Sequence, residues 1–201
     1  MKVIGVSGQT GAGKSTFAAL LSQHGLGQNL EVDAIGHDLL QDALIIKKLT
    51  GYFGEDILDD SGKISRKALG RKAFASEENM AVLNAIMHPA MIDRVKNEIE
   101  TRKQRREKYL IINAALLFSM GLDKLCNRLV YVAASPEIRL KRLIHYRNWS
   151  EESARERLFA QDEMPMDKNV IVVNNDGSKK DLAHEAARVA RLLKTECEEK
   201  I

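Results

Sequence analysis

Gly8-Gln-Thr-Gly-Ala-Gly-Lys14-Ser15 has the spacing G-x-x-x-x-G-K-[ST]. Residues of these types in this order bind phosphate. Glycines let the backbone curl until successive N–H groups converge on an anion. Gly8, Gly11, Ala12 and Gly13 would form that cradle, and Thr16 would carry it into a helix whose positive end faces the same anion. Lys14 is placed to reach the β- and γ-phosphates of ATP, and Ser15 to offer its hydroxyl to Mg²⁺. The match lies between a short apolar run, Val3-Ile4-Gly5-Val6, and a helical pattern with Phe17, Leu20 and Leu21 on one face. Strand, loop and helix in that order separate a Walker A loop from a chance match.

Other residues could act on what this loop holds. Asp33 follows Leu30-Glu31-Val32, read as the second strand. Ligands in open parallel sheets gather at the carboxyl ends of strands. A carboxylate there would orient an acceptor hydroxyl or take its proton; the alternative is an aspartate that caps the next helix. His88-Pro89 interrupts a helical pattern, and the residues alone read as a kink. Arg139, Arg142, Arg147, Arg155 and Arg157 share one helical, Arg-rich stretch. Each could be a solvated surface residue, but together they imply that at least one contacts phosphate. Arg142 could brace the γ-phosphate as charge spreads over its oxygens.

The elements that must position these groups alternate. Tyr109-Leu110-Ile111-Ile112 and Leu129-Val130-Tyr131-Val132 are continuous apolar runs, as expected of central parallel strands, and Val170-Ile171-Val172-Val173 reads as the last strand. Ser76 reads as the N-cap of a helix running to Met87, and Pro89 as its break before a second run from Ala90 to Arg102. Ser135-Pro136 and Ser150-Glu151-Glu152 open further helices, and Asn174-Asn175-Asp176-Gly177 is a turn. The last helix puts Leu182, Ala186, Val189 and Leu193 on one face. The pattern predicts an α/β fold, with a mainly parallel sheet and helices on both faces. Its core is expected at 1–35, 107–138 and 167–201, with a helical insert at 36–106 and a lid at 139–166.

Composition excludes several classes. The 201 residues are 44% hydrophobic and carry a formal charge of +3. The basic residues are not gathered into one run, so no nucleic-acid partner is expected. The densest cluster, Arg102, Lys103, Arg105 and Arg106, reads as a solvated helix end. Cys126 and Cys197 have neither metal-type spacing nor the numbers for a disulfide framework. No apolar stretch has the length of a membrane span and no signal peptide is read, so a cytoplasmic location is expected. Nothing in the pattern sets an oligomeric state.

In order along the chain, several further segments resemble the dephospho-coenzyme A kinase family over nearly the whole length. They are Ile4-Gly5-Val6-Ser7-Gly8, Val32-Asp33-Ala34, Phe53-Gly54, Asp60-Ser-Gly-Lys-Ile-Ser-Arg66, Phe74, and Leu83-Asn-Ala-Ile-Met-His88-Pro89. Leu116-Leu117-Phe118, Ser135-Pro136, Leu140-Lys141-Arg142, Arg157 to Gln161 and Val172 to Gly177 follow. The resemblance implies that ATP phosphorylates the ribose 3′-hydroxyl of dephospho-CoA, with Mg²⁺. It implies that Asp33 activates the acceptor, that Arg142 is the lid arginine, and that Asn175 and Gly177 lie near the adenine. It places His37, Arg66, His88, Pro89, Leu116 and Leu117 on the acceptor side. The chain departs from the family pattern at Ile35 and Ser119, where acids are usual, at Asn113, where an acid often closes the third strand, and at Met164-Pro165-Met166. Two other readings stay open: a small-molecule P-loop kinase acting on a nucleoside or nucleotide, or a nucleotide-binding homologue with weakened catalysis.

Overall fold

The computed structural model describes residues 1–147, 150, 151, 155, 158 and 169–198. At the centre of its sheet lies β1 (Lys2–Gly8), paired with β3 (Tyr109–Asn113) on one side and β4 (Arg128–Ala133) on the other. β2 (Gln28–Glu31) lies outside β3, and β5 (Val170–Asn174) outside β4, giving five parallel strands in the order 2-3-1-4-5. Val3, Ile4, Val6, Leu110, Ile111, Ile112, Val130 and Val132 are buried, as a sheet covered on both faces requires. The register sets Val6 opposite Asn113 and Asn113 opposite Glu31. Gly8 lies opposite Val132. The carboxyl ends of these strands therefore form one edge, where Asn113 and Glu31 lie side by side.

Helix α1 (Lys14–Gln23) buries Phe17, Ala18 and Leu21 against that sheet. The last helix, here α7 (Lys179–Glu198), adds Leu182, Ala186, Val189, Ala190 and Leu193 to the same cluster. Helix α6 (Pro136–Arg147) follows β4 directly.

The chain divides into two compact units, Met1–Glu31 with Thr101–Ile201, and Val32–Glu100. The second is helical: α2 (Val32–Leu39), α3 (Ala43–Phe53), a 3₁₀ turn at Glu55–Ile57, α4 (Arg66–Ala73) and most of α5 (Glu77–Gln104). Ile45, Leu49, Phe53, Ile57, Ile64, Leu69, Ala73 and Met87 form its own core. The helical insert was expected at 36–106, against the observed bounds of 32 and 100. The lid expected at 139–166 overlaps α6 at its start and lies largely outside the described residues. No helix among the described residues is long and apolar enough to cross a membrane.

Three local expectations are corrected. The second strand ends at Glu31, where its pairing with Asn113 at the end of β3 runs out, and Val32 already begins a helix. Asp33 therefore sits in the first turn of α2, where a carboxylate favours the positive helix end. Helix α5 runs unbroken for 28 residues through Pro89. Proline removes one N–H and crowds the preceding turn, but the turns on either side hold it in place. The Ser76 hydroxyl does accept from the Asn79 N–H at 3.1 Å, as a cap should. Arg102 is not a solvated helix end: it is 9% exposed and pairs with Glu107 at 3.5 Å.

An unbroken helix carrying an exposed internal proline gives up stability. Pro89→Ala restores the missing donor and relieves the crowding, so the variant should be more stable by about 1–3 kcal/mol in urea unfolding. A variant no more stable than the parent would show that the proline is accommodated at no cost.

Candidate functional site

Strand β1 ends at Gly8 and α1 begins at Lys14, with Gly13 as its N-cap in the left-handed region, at φ 95°. No side-chain hydrogen bond caps the helix at Gly13, and a helix N-terminus at this position favours an anion. Glycine is needed at Gly8, Gly11 and Gly13 of this loop, because a Cβ at each would meet a neighbouring segment, at Gly8 the Val132 carbonyl oxygen. A Cβ at Gly11 would lie 3.0 Å from the Arg139 carbonyl oxygen, and one at Gly13 would collide with the side-chain amide of Asn175.

The loop is fastened from one side. Asn175 donates from Nδ2 to the Ala12 carbonyl at 2.7 Å, in a buried bond. Arg142 donates from Nη1 to the Gly11 and Ala12 carbonyls at 3.4 and 3.5 Å, and from Nη2 to Asn175 Oδ1 at 3.5 Å. Asn175 is itself anchored, since its N–H donates to the Ala133 carbonyl at 2.7 Å. Next to it, Asp176 accepts from the Ser135 N–H at 2.7 Å. Gly177 packs against Asp181, whose carboxylate accepts from the Ser178 N–H and hydroxyl at 2.8 Å; these bonds hold it below the usual carboxylate range. In a planar trans peptide the C=O and N–H point in opposite directions. Tying the Ala12 carbonyl to Asn175 therefore turns the Gly13 N–H the other way.

The arginines read together from the sequence separate in the structure. Arg142 reaches the loop. Arg139 is buried in the first turns of α6, 4% exposed, and its Nε and Nη1 have no hydrogen-bond partner among the described residues. Burial lowers its pKa, against an opposing pull from Tyr131. Arg155 pairs with Glu151 at 2.7 Å with both groups exposed. Arg157 and the Arg147 side chain lie outside the described residues.

A second polar group forms at the ends of β2 and β3. Asn113 donates from Nδ2 to Ser15 Oγ at 3.3 Å and to Glu31 Oε1 at 3.5 Å, and Asn29 donates to the same Glu31 oxygen at 3.4 Å. The Oδ1 atoms of Asn113 and Asn29 are buried without a partner. The Asn113 oxygen is a hard donor on a side chain that touches the Walker serine. The sequence reading overlooked Glu31; the signal available was an acid as the last residue of a strand next to the one ending in Asn113.

In the helical unit, Asp33 and His37 are exposed one turn apart on α2, so they share a face. Gly36 on the same helix comes close to α5, where a Cβ would meet Met91 at 3.2 Å. His88 and Pro89 lie on α5 less than a turn before Met91. His88 is half-buried, and desolvation lowers its pKa. Arg66 is exposed as the first residue of α4. In the sheet unit, Leu116 is exposed, whereas Leu117 is fully buried beside Gly5 and belongs to the core.

A parallel sheet of order 2-3-1-4-5, with an anion-cradling loop between its first strand and first helix, defines a P-loop kinase. Comparison with known proteins narrows the class. The family profile described as dephospho-CoA kinase matches residues 2–181. A dephospho-CoA kinase of Corynebacterium diphtheriae is 33% identical over 98% of this chain and 100% of its own length. One of Arabidopsis thaliana is 33% identical over 94% of this chain and 82% of its own. Among solved structures, TT1252 from Thermus thermophilus matches with a TM-score of 0.76 at 30% identity, covering 96% of this chain and 97% of that one. A dephospho-CoA kinase from Campylobacter jejuni shares the fold, with a TM-score of 0.67 at 23% identity over 96% of this chain and 98% of its own. The chain belongs to the dephospho-CoA kinase family.

The fastening of the loop can be tested alone. Asn175→Ala deletes the shortest bond to the Ala12 carbonyl and should weaken ATP binding about tenfold by titration calorimetry, the effect of losing one buried hydrogen bond. Unchanged affinity would mean the loop keeps its shape without Asn175.

Proposed function

We propose that the protein transfers the γ-phosphoryl group of ATP to the 3′-hydroxyl of the ribose of dephospho-CoA, giving coenzyme A and ADP. The observation that carries this reading is the fastened Gly8–Ser15 loop in a chain belonging to this family. The acceptor oxygen forms a bond to the γ-phosphorus as the bond to the β–γ bridging oxygen breaks, and the hydroxyl proton must leave as it does so. Asp33 takes that proton. The loop amides and Lys14 hold the phosphates in line. Gly8, Gly11, Ala12, Gly13 and Thr16 belong to the same nucleotide side, with Asn175 and Gly177 toward the base. His37, Arg66, His88, Pro89 and Leu116 serve the acceptor side. Leu117, being core, is left out of that set.

The donor set near the loop suits Mg²⁺, which takes hard oxygen ligands and keeps several waters. Ser15 would hold it through its hydroxyl, with the buried, unpartnered Oδ1 of Asn113 as a further acceptor nearby. When bound, the ion neutralises charge that builds on the transferring phosphate. Ile35, where the family pattern has an acid, is buried, so position 35 offers no carboxylate.

Arg142 has two jobs in this reading. It fastens the Gly11 and Ala12 carbonyls and lies next to the loop, from where it supports transition-state charge. The substrates are small molecules. A cytoplasmic location completes the proposal, supported by Cys126, a thiol that takes part in no disulfide and that burial pushes up to about 12.

Asp33→Asn preserves shape and removes basicity. The turnover number with dephospho-CoA should fall about 10²–10⁴-fold, while ATP affinity stays close to the parent value. Parent-like turnover would reduce Asp33 to a helix-end carboxylate. Faster turnover of a nucleoside or nucleotide in a parallel acceptor series would point to a different substrate.

A further inference from the structure

A P-loop kinase needs negative charge beside its Walker serine to hold a divalent cation against the phosphates. The strand next to β1 ends here in Asn113, a neutral amide. Asn113 does not stand alone. Its amide nitrogen lies 3.3 Å from Ser15 Oγ and 3.5 Å from Glu31 Oε1. One residue thus links the serine hydroxyl to a carboxylate on the neighbouring strand. A second amide, Asn29 Nδ2, converges on the same carboxylate oxygen at 3.4 Å. The sheet register fixes this arrangement, because Glu31 and Asn113 are paired at the ends of two parallel strands. The Glu31 side chain is exposed, so it needs no partner for burial's sake, yet two side-chain amides hold it on the serine side of the strand ends.

We propose that Glu31 supplies the negative charge of the divalent-cation site, with Asn113 as the residue that positions it relative to Ser15. The charge that most P-loop kinases place at the end of the third strand is moved here one strand outward, to the end of β2. Among the described residues no cluster of three or more His, Cys, Asp or Glu offers a metal site instead. In this arrangement the neutral residue at 113 is no sign of lost catalysis, because an amide at that position can donate to Glu31 where a carboxylate would repel it.

The inference rests on the proposed nucleotide site but needs no acceptor substrate, so it can be tested apart from the identity of the reaction. Mn²⁺ replaces Mg²⁺ as the probe, and the free ion is followed by electron paramagnetic resonance in the presence of ADP and the full-length protein. The Glu31→Gln variant should bind Mn²⁺ in the ADP complex about tenfold more weakly than the parent, in the range seen when a metal site loses a supporting group. Its affinity for ADP in EDTA and its thermal midpoint should match the parent. Adding Asn113→Asp to Glu31→Gln should restore Mn²⁺ affinity, since it returns one carboxylate to the same edge. An unchanged Mn²⁺ affinity in Glu31→Gln would overturn the proposal. So would a loss that Asn113→Asp does not reverse, or a parent protein that adds nothing to the affinity of ADP alone for Mn²⁺.

Discussion

The carbonyl oxygen of Ala12 is the point on which the nucleotide side of this protein depends. A phosphate loop must turn its N–H groups inward, and it can do so only if its carbonyls are satisfied elsewhere. Asn175 and Arg142 provide that from two different elements, the loop after β5 and helix α6. The consequence runs through the sheet. β4 and β5 must be parallel and in register so that the Ala133 carbonyl meets the Asn175 N–H. β1 must lie beside β4 so that Gly8 faces Val132. The parallel register of β4 and β5 thus sets the position of one amide to within a hydrogen-bond length.

Much of this was legible in the sequence, because the signals were local. The Walker spacing, the apolar runs of the inner strands and the face of Leu182, Ala186, Val189 and Leu193 each depend on a few neighbouring residues. What escaped depends on pairing between distant segments. Leu30-Glu31-Val32 has the local pattern of a short strand that would end at Asp33. The strand stops at Glu31 because its partner stops at Asn113, which no window around residue 32 reveals. Glu31 was passed over for the same reason. Pro89 misled in the opposite sense: its local preference is to break a helix, and 28 residues of α5 override it. The fastening role of Arg142 also lay beyond reach, since it requires knowing that residues 11, 12, 142 and 175 meet.

The segment Asp60-Ser61-Gly62-Lys63-Ile64-Ser65-Arg66 shows how a family-like motif can be mainly architectural. Just before it, the Asp59 carboxylate accepts from the Ser61 N–H at 2.9 Å, the Ser61 hydroxyl at 2.7 Å and the Lys63 N–H at 3.1 Å. These bonds, led by the one from the Ser61 hydroxyl, hold its pKa below the ordinary value. Leu58 and Ile64 bridge across this turn, and Ser65 caps α4 by accepting from the Ala68 N–H at 3.3 Å. Four of the seven residues thus build a turn, a bridge and a cap, and Arg66 is left exposed at the start of the helix they set up.

Phosphorus-31 magnetic resonance of the reaction mixture tests the central claim most directly. With ATP, Mg²⁺ and dephospho-CoA, the account predicts one new phosphomonoester signal on the ribose of the acceptor, coupled to ribose H3′, growing in step with ADP. ADP released without that signal, or a phosphoryl group found on another acceptor position, would contradict it.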